Sequence, residues 1–134
     1  MPALQVARGR GTRTEVDVHA LGDLLTEWSP DICYFERVSG MEGDGVSQAF
    51  NFGRAAGAAE AIVKRQGARF VFVTPPVWKK AMGLVRVAKD DSRAKAMDLW
   101  PARAAEFRRK KDDGRADAAL IAEYGRLQMI DPFR

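Results

Sequence analysis

The chain has 134 residues, 46% hydrophobic and 30% charged, which are the proportions of a folded domain and exclude a disordered tail. No apolar run approaches the ~20 residues that a membrane helix needs, and the first residues lack the apolar core of a signal peptide, so a soluble cytoplasmic protein without a membrane partner is expected. Lys and Arg outnumber Asp and Glu by 22 to 18 for a net charge of +4, with a pI near 9.5; that is a mild bias towards polyanionic partners, while a single cysteine excludes an internal disulfide.

In chain order, residues 4–6 suit a short strand, and residues 8–13, with two glycines and three arginines, read as an exposed turn. Val16, Leu21, Leu24, Leu25 and Trp28 follow one helical face, which predicts a helix over 17–28 that stops before Ser29 and Pro30. The only histidine, His19, falls in this amphipathic stretch. Residues 31–38 are aromatic and β-branched between Pro30 and Gly40, the signature of a buried strand. Cys33 lies within it as a small apolar filler, with nothing to suggest a catalytic pairing with His19.

Three glycines, Gly40, Gly43 and Gly45, mark a mobile loop over 39–45, and helix is expected from 47 to 65. Its Gly53, Ala56 and Gly57 allow another backbone to come close. A second strand is predicted over 69–73, stopped by Pro75 and Pro76. Short helices over 77–82 and 91–99 follow, the latter ending at Trp100 and Pro101. The alanine-rich segment 114–126 is the last strong helix. No repeat or interdomain linker interrupts the pattern, so one α/β domain is expected.

Four acids stand where chemistry is possible. Glu36 follows apolar strand residues, at a strand end where a side chain can project into a cleft; it can equally be a solvated end paired with Arg37. Asp113 and Asp117 are four apart and share a helical face, where their repulsion, a few tenths of a kcal/mol, would be relieved by a cation. Asp112 or Asp113 can instead serve as the N-cap. Such carboxylates suit Mg2+ or Mn2+, and two ions about 3.5 to 4 Å apart can activate water for phosphodiester hydrolysis. Positive charge clusters at Lys79 and Lys80 and at Arg108, Arg109, Lys110 and Lys111, the second cluster running directly into the acids. These six are the candidate DNA-binding residues, through phosphate neutralisation. Phe50 and Phe52 are expected in the core, with a wedge into opened DNA as the alternative.

Three blocks carry a family resemblance: Glu36-Arg37-Val38, a Gly-rich loop and Gln48-Ala49-Phe50-Asn51-Phe52-Gly53-Arg54; Val73-Thr74-Pro75-Pro76-Val77-Trp78-Lys79-Lys80; and Lys110-Lys111-Asp112-Asp113-Gly114-Arg115-Ala116-Asp117-Ala118-Ala119-Leu120-Ile121-Ala122. In order and spacing they resemble the phage and prophage RuvC-type Holliday-junction resolvases over residues 30–124, the last two blocks most specifically. The resemblance implies a ribonuclease H-like α/β fold, a homodimer, and Mg2+- or Mn2+-dependent nicking of branched DNA such as Holliday junctions. It also implies four metal-binding carboxylates, of which Glu36, Asp117 and one of Asp112 or Asp113 are matched here. The glycine-bearing helix 47–65 becomes, by the same resemblance, a candidate dimer interface, with packing onto the chain's own sheet as the alternative.

The front of the sequence departs from that pattern. A resolvase of this kind opens with a strand bearing an aspartate in a motif such as Ile-Asp-Pro-Gly, and three strands, two hairpins and a helix need roughly 50 residues before the glutamate. Here 35 residues precede Glu36, and Asp-Pro-Gly occurs nowhere. Met1-Pro2-Ala3-Leu4 resembles the family's third strand, so the expectation is an N-terminally shortened resolvase that cleaves junctions weakly or not at all. The alternatives are an inactive module that binds branched DNA and a non-functional remnant.

Overall fold

The computed structural model describes residues 3–8, 11–37, 39, 43, 45–85 and 91–131, with side chains described from Glu15 onward. Val38 and, within the expected loop over 39–45, residues 40–42 and 44 lie outside the described residues. The chain forms an α/β fold in two compact units, Met1–Val71 and Phe72–Arg134.

The first unit opens with an antiparallel hairpin. β1 (Ala3–Arg8) pairs with β2 (Gly11–Val16), in a register that sets Ala3 opposite Val16 and Arg8 opposite Gly11. Two strands therefore precede the first helix where one was expected, and most of the polar stretch over 8–13 is strand rather than turn. Glycines and arginines resemble a loop locally, whereas cross-strand pairing is a non-local gain that composition does not display.

α1 (Val18–Trp28) starts at Asp17, whose carboxylate accepts the Ala20 N–H at 2.9 Å. It ends at Ser29 in a left-handed conformation (φ 44°), the Ser29 N–H donating to the Leu25 carbonyl. Pro30 then prevents continuation. β3 (Ile32–Glu36) and β4 (Arg69–Val73) form a small parallel pair, begun by the Arg69 N–H donating to the Asp31 carbonyl at 2.9 Å. The parallel arrangement requires a crossover, and α2 (Val46–Arg65) supplies it. α2 packs on α1 and on β2. Thr26 Oγ1 donates to Gln66 Oε1 and Gln66 Nε2 to the Gly22 carbonyl, fastening the two helices where Gly22 leaves room. Phe35 and Phe70 meet across the strand pair with ring centroids 5.4 Å apart.

The outer face of α2 is not covered. Val46, Phe50, Gly53, Gly57 and Ala61, at helical spacing, are all exposed. Phe50 is 65% exposed and Phe52 47%, so neither is a core residue as expected. Ala59 and Val63 on the opposite side provide the burial instead.

In the second unit, α3 (Pro75–Ala81) begins two residues earlier than predicted, because a proline in the first helical turn loses only an N–H that has no partner there. α4 (Asp91–Leu99) leads into a 3₁₀ helix over Pro101–Phe107 and a second over Lys110–Asp112. α5 (Asp113–Ile130) runs four residues past its predicted end. Its C-terminal half packs on α3, where Tyr124, Leu127 and Gln128 line a shallow groove with Val77, Lys80 and Ala81. Trp78 and Leu120 are completely buried.

Candidate metal and nucleic-acid site

The start of α5 is held from below by packing. Ala96 of α4, Phe107 of the 3₁₀ helix and Ala116 of α5 form a buried cluster with Met97, Trp100 and Ala119 around it. The Trp100 and Phe107 rings lie 6.1 Å apart. The alanines let α4 and α5 approach, and the aromatic pair fills the gap at the turn. The Lys110–Asp112 turn therefore delivers two adjacent acids into a fixed frame.

Those two acids have different surroundings. Asp112 is 3% exposed, and both its oxygens are taken by Arg109. Oδ2 accepts the Arg109 backbone N–H at 2.9 Å and Nε–H at 3.1 Å, while Oδ1 accepts Nη2–H at 2.9 Å. The side-chain hydrogen bonds from Arg109 hold the Asp112 carboxyl below the usual aspartate range, against the opposing effect of burial. A carboxylate with three donors from one arginine closes the turn.

Asp113, the first residue of α5, is 39% exposed, and its Oδ1 is buried 2.7 Å from Arg93 Nε. The Nε–H is not aimed closely enough for a hydrogen bond, so the contact is one of opposite charges. Arg93 itself is 13% exposed, and its Nη1 donates to the Arg108 carbonyl at 2.9 Å. The exposure of the Asp113 side chain therefore lies elsewhere than at Oδ1. Asp117 lies one turn on, half-buried beside the buried Ala116, Leu120 and Ile121. The i, i+4 spacing puts Asp113 and Asp117 on one face of α5.

Glu36 is the last residue of β3, in the other unit, and is half-buried. Among the described residues, no group of three histidine, cysteine, aspartate or glutamate side chains is arranged to hold a metal ion. Two carboxylates, Asp113 and Asp117, do share one face at the start of α5. Mg2+ is commonly held by one or two carboxylates with water and substrate phosphate completing its shell, so a carboxylate pair suits it without a full protein cage.

The expected phosphate-binding residues divide by position. Arg108, Lys110 and Lys111 are exposed at the mouth of α5, next to the acid pair. Arg109 is also exposed, but its guanidinium is committed to Asp112. Arg115, inside the same block, donates to the Glu106 carbonyl at 3.2 Å. Lys80 borders the groove at Tyr124 and Gln128, seven or more residues along α5 from Asp117, about 10 Å or more down the helix axis. Lys79 is half-buried with its ammonium 5.4 Å from the Trp78 ring centroid. Basic residues thus stand at both ends of α5, with the acids at one.

Arg93 is the residue that the sequence does not flag. It lies twenty positions before Asp113, and only the packing of α4 on α5 brings the two together. Cys33 is half-buried, and burial pushes its thiol up, away from a reactive thiolate. None of the described helices is long and apolar enough to cross a membrane.

Fold comparison agrees with this architecture. The chain superposes on a Thermus thermophilus RuvC structure with a TM-score of 0.63 at 17% identity, covering 93% of this chain and 87% of that one. Likeness at this identity shows the fold, an α/β fold of RuvC topology, and leaves activity to be argued from the site. No protein-family model matches the sequence, and no curated protein does.

Proposed function

We propose that this protein is a RuvC-like, divalent-metal-dependent endodeoxyribonuclease acting on branched DNA such as Holliday junctions, of phage or prophage type. The observation that carries the reading is the pairing of Asp113 and Asp117 at the start of α5, with Arg108, Lys110 and Lys111 beside them, on a chain whose fold is RuvC-like. The resemblance also matches Glu36, at the end of β3 in the first unit, to a carboxylate of the family. Mg2+ or Mn2+, when bound, supplies an acidified water and neutralises charge on the phosphate oxygens. The chain's part is to hold that cation with Asp113 and Asp117 and to dock the DNA backbone on Arg108, Lys110 and Lys111, with Lys79 and Lys80 as a second phosphate contact. Water adds to phosphorus, the bond to one ester oxygen breaks, and the strand ends as a phosphate and a hydroxyl.

A homodimer gives two such sites for two strands. The exposed face of α2 is where we place its contact. In an antiparallel crossing centred between Gly53 and Arg54, Phe50 of one copy faces Gly57 of the other and Val46 faces Ala61, so large side chains meet small ones. Nothing within 4 Å would oppose even a Cβ at Gly53 or Gly57, which leaves room for a second helix.

A second reading, binding of branched DNA without turnover, is favoured by one feature. Among the described residues, Glu36, Asp113 and Asp117 are not part of any group of three acid, histidine or cysteine side chains arranged to hold a metal ion. Incubating the protein with labelled four-way junction and linear duplex, in Mn2+ and in EDTA, separates the two. Junction-selective nicking in Mn2+ supports the nuclease, whereas junction-selective binding with no nicking supports the binding module. Equal binding to junction and duplex with no nicking removes both.

A further inference from the structure

We propose that Arg93 is a positioning residue for Asp113: it covers one carboxylate oxygen and so presents the other, on the face of α5 that Asp117 shares. The proposal deepens the reading of Asp113 and Asp117 as cation ligands and rests on it.

Asp113 opens α5, where a side chain on the first helical turn would ordinarily be free to choose among rotamers. Here Oδ1 is buried 2.7 Å from Arg93 Nε while the side chain as a whole remains 39% exposed, so none of that exposure lies at Oδ1 and Oδ2 is the oxygen left to a ligand. A carboxylate held through one oxygen and offering the other is the usual arrangement of a metal ligand with an outer partner, because the fixed oxygen sets the direction of the open lone pairs. The same arginine could instead be a rival cation that blocks the site. Its anchoring argues against that: Nη1 is tied to the Arg108 carbonyl at 2.9 Å, and only 13% of the side chain is exposed. A guanidinium fixed at two points is a strut, not a lid that swings away to admit an ion. The anchor also couples Asp113 to the backbone of the basic cluster, since Arg108 heads the run that ends in Lys110 and Lys111. A lysine keeps the charge but has no second arm for the carbonyl.

The two roles give opposite outcomes. A rival cation, once removed, would leave the divalent ion better bound; a strut, once removed, would leave it worse bound despite one positive charge fewer. The test is Mn2+ titration of the full chain without DNA, read from the electron paramagnetic resonance signal of free Mn2+, with a thermal melt of each variant. Arg93→Gln is expected to weaken Mn2+ binding about tenfold or more, the usual cost of losing an outer partner of a ligand, and Arg93→Lys to restore only part. Binding by Arg93→Gln as tight as wild type or tighter overturns the proposal. Should Arg93→Gln fail to fold, Arg93→Lys decides, since affinity equal to wild type would show that charge alone matters. Asp113→Asn and Asp117→Asn test the underlying reading separately. If neither weakens Mn2+ binding, or the wild type binds none, the ligand assignment falls and the role of Arg93 falls with it.

Discussion

Arg109 donates three hydrogen bonds to Asp112, from its backbone N–H, Nε and Nη2, and so closes the turn that launches α5. Asp112 is thereby buried in the turn, while the neighbouring Asp113 side chain stays partly exposed. Asp112→Asn removes the charge from a site enclosed by donors, and is expected to lower the melting temperature by several degrees, whereas Asp117→Asn should leave it unchanged or slightly raised, as is common when a functional acid is neutralised. Differential scanning calorimetry of the two variants checks the contrast.

The same pair sets an acid dependence. Because the hydrogen bonds from Arg109 depress the Asp112 pKa in the folded state, the pair contributes stability above the ordinary aspartate pKa of about 3.9, and that contribution is lost as pH falls through the depressed folded value. Glu123, lowered by its hydrogen bonds from Arg126, acts in the same sense and survives in the variant. Melting temperature measured as the pH is lowered from neutral should therefore fall less steeply for Asp112→Asn than for wild type, without becoming flat.

Leu120 is completely buried on α5, on the turn after Asp117. Leu120→Ala leaves a cavity and is expected to cost about 2–5 kcal/mol. Urea unfolding followed by circular dichroism measures it. A loss well under that range would mean that α5 is not packed as described, and the footing of the acid pair would go with it.

Much of this architecture can be read directly from the residues, and the exceptions share a cause. β4 and α4 match their predicted limits, and β3 falls within its own, because proline and glycine bound them and their patterns are local. The β1–β2 hairpin is not legible, since Gly9 and Arg10 alone separate strands that look like loop. α5 reads short because the residues beyond Arg126 are held in the helix by packing on α3, which no local pattern displays. Within the site, the spacing of Asp113 and Asp117 is visible, but the choice between Asp112 and Asp113 is not. The different surroundings of the two acids depend on which arginine reaches which, and Arg93 reaches across from another helix. Phe50 reads as core by its hydrophobicity, although it stands on the open side of α2.

That open side leads to an association prediction. Phe50→Glu places a charge within the proposed contact, opposite Gly57 of a second copy. Sedimentation at micromolar concentration is expected to show a dimer for wild type and a monomer for the variant, with stability changed by no more than about 0.5 kcal/mol, as for an exposed position. A wild-type monomer would remove the α2 dimer.

Phosphate binding has its own signature in salt. Replacing Lys110 and Lys111 together by alanine should weaken junction binding and reduce the slope of log affinity against log salt, by about 0.9 for each duplex phosphate that is no longer neutralised. Anisotropy titrations between 50 and 200 mM NaCl, roughly the range over which such neutralisation is felt, provide the slopes. An unchanged slope would move the DNA away from the mouth of α5.

Strand cleavage by wild type and Asp117→Asn tests the acid pair most directly. With a four-way junction in Mn2+, weak nicking is expected from wild type and its loss from Asp117→Asn, with melting temperature and junction affinity in EDTA preserved. Nicking that persists in Asp117→Asn would contradict the account, as would a wild-type protein that neither nicks the junction nor prefers it to linear duplex.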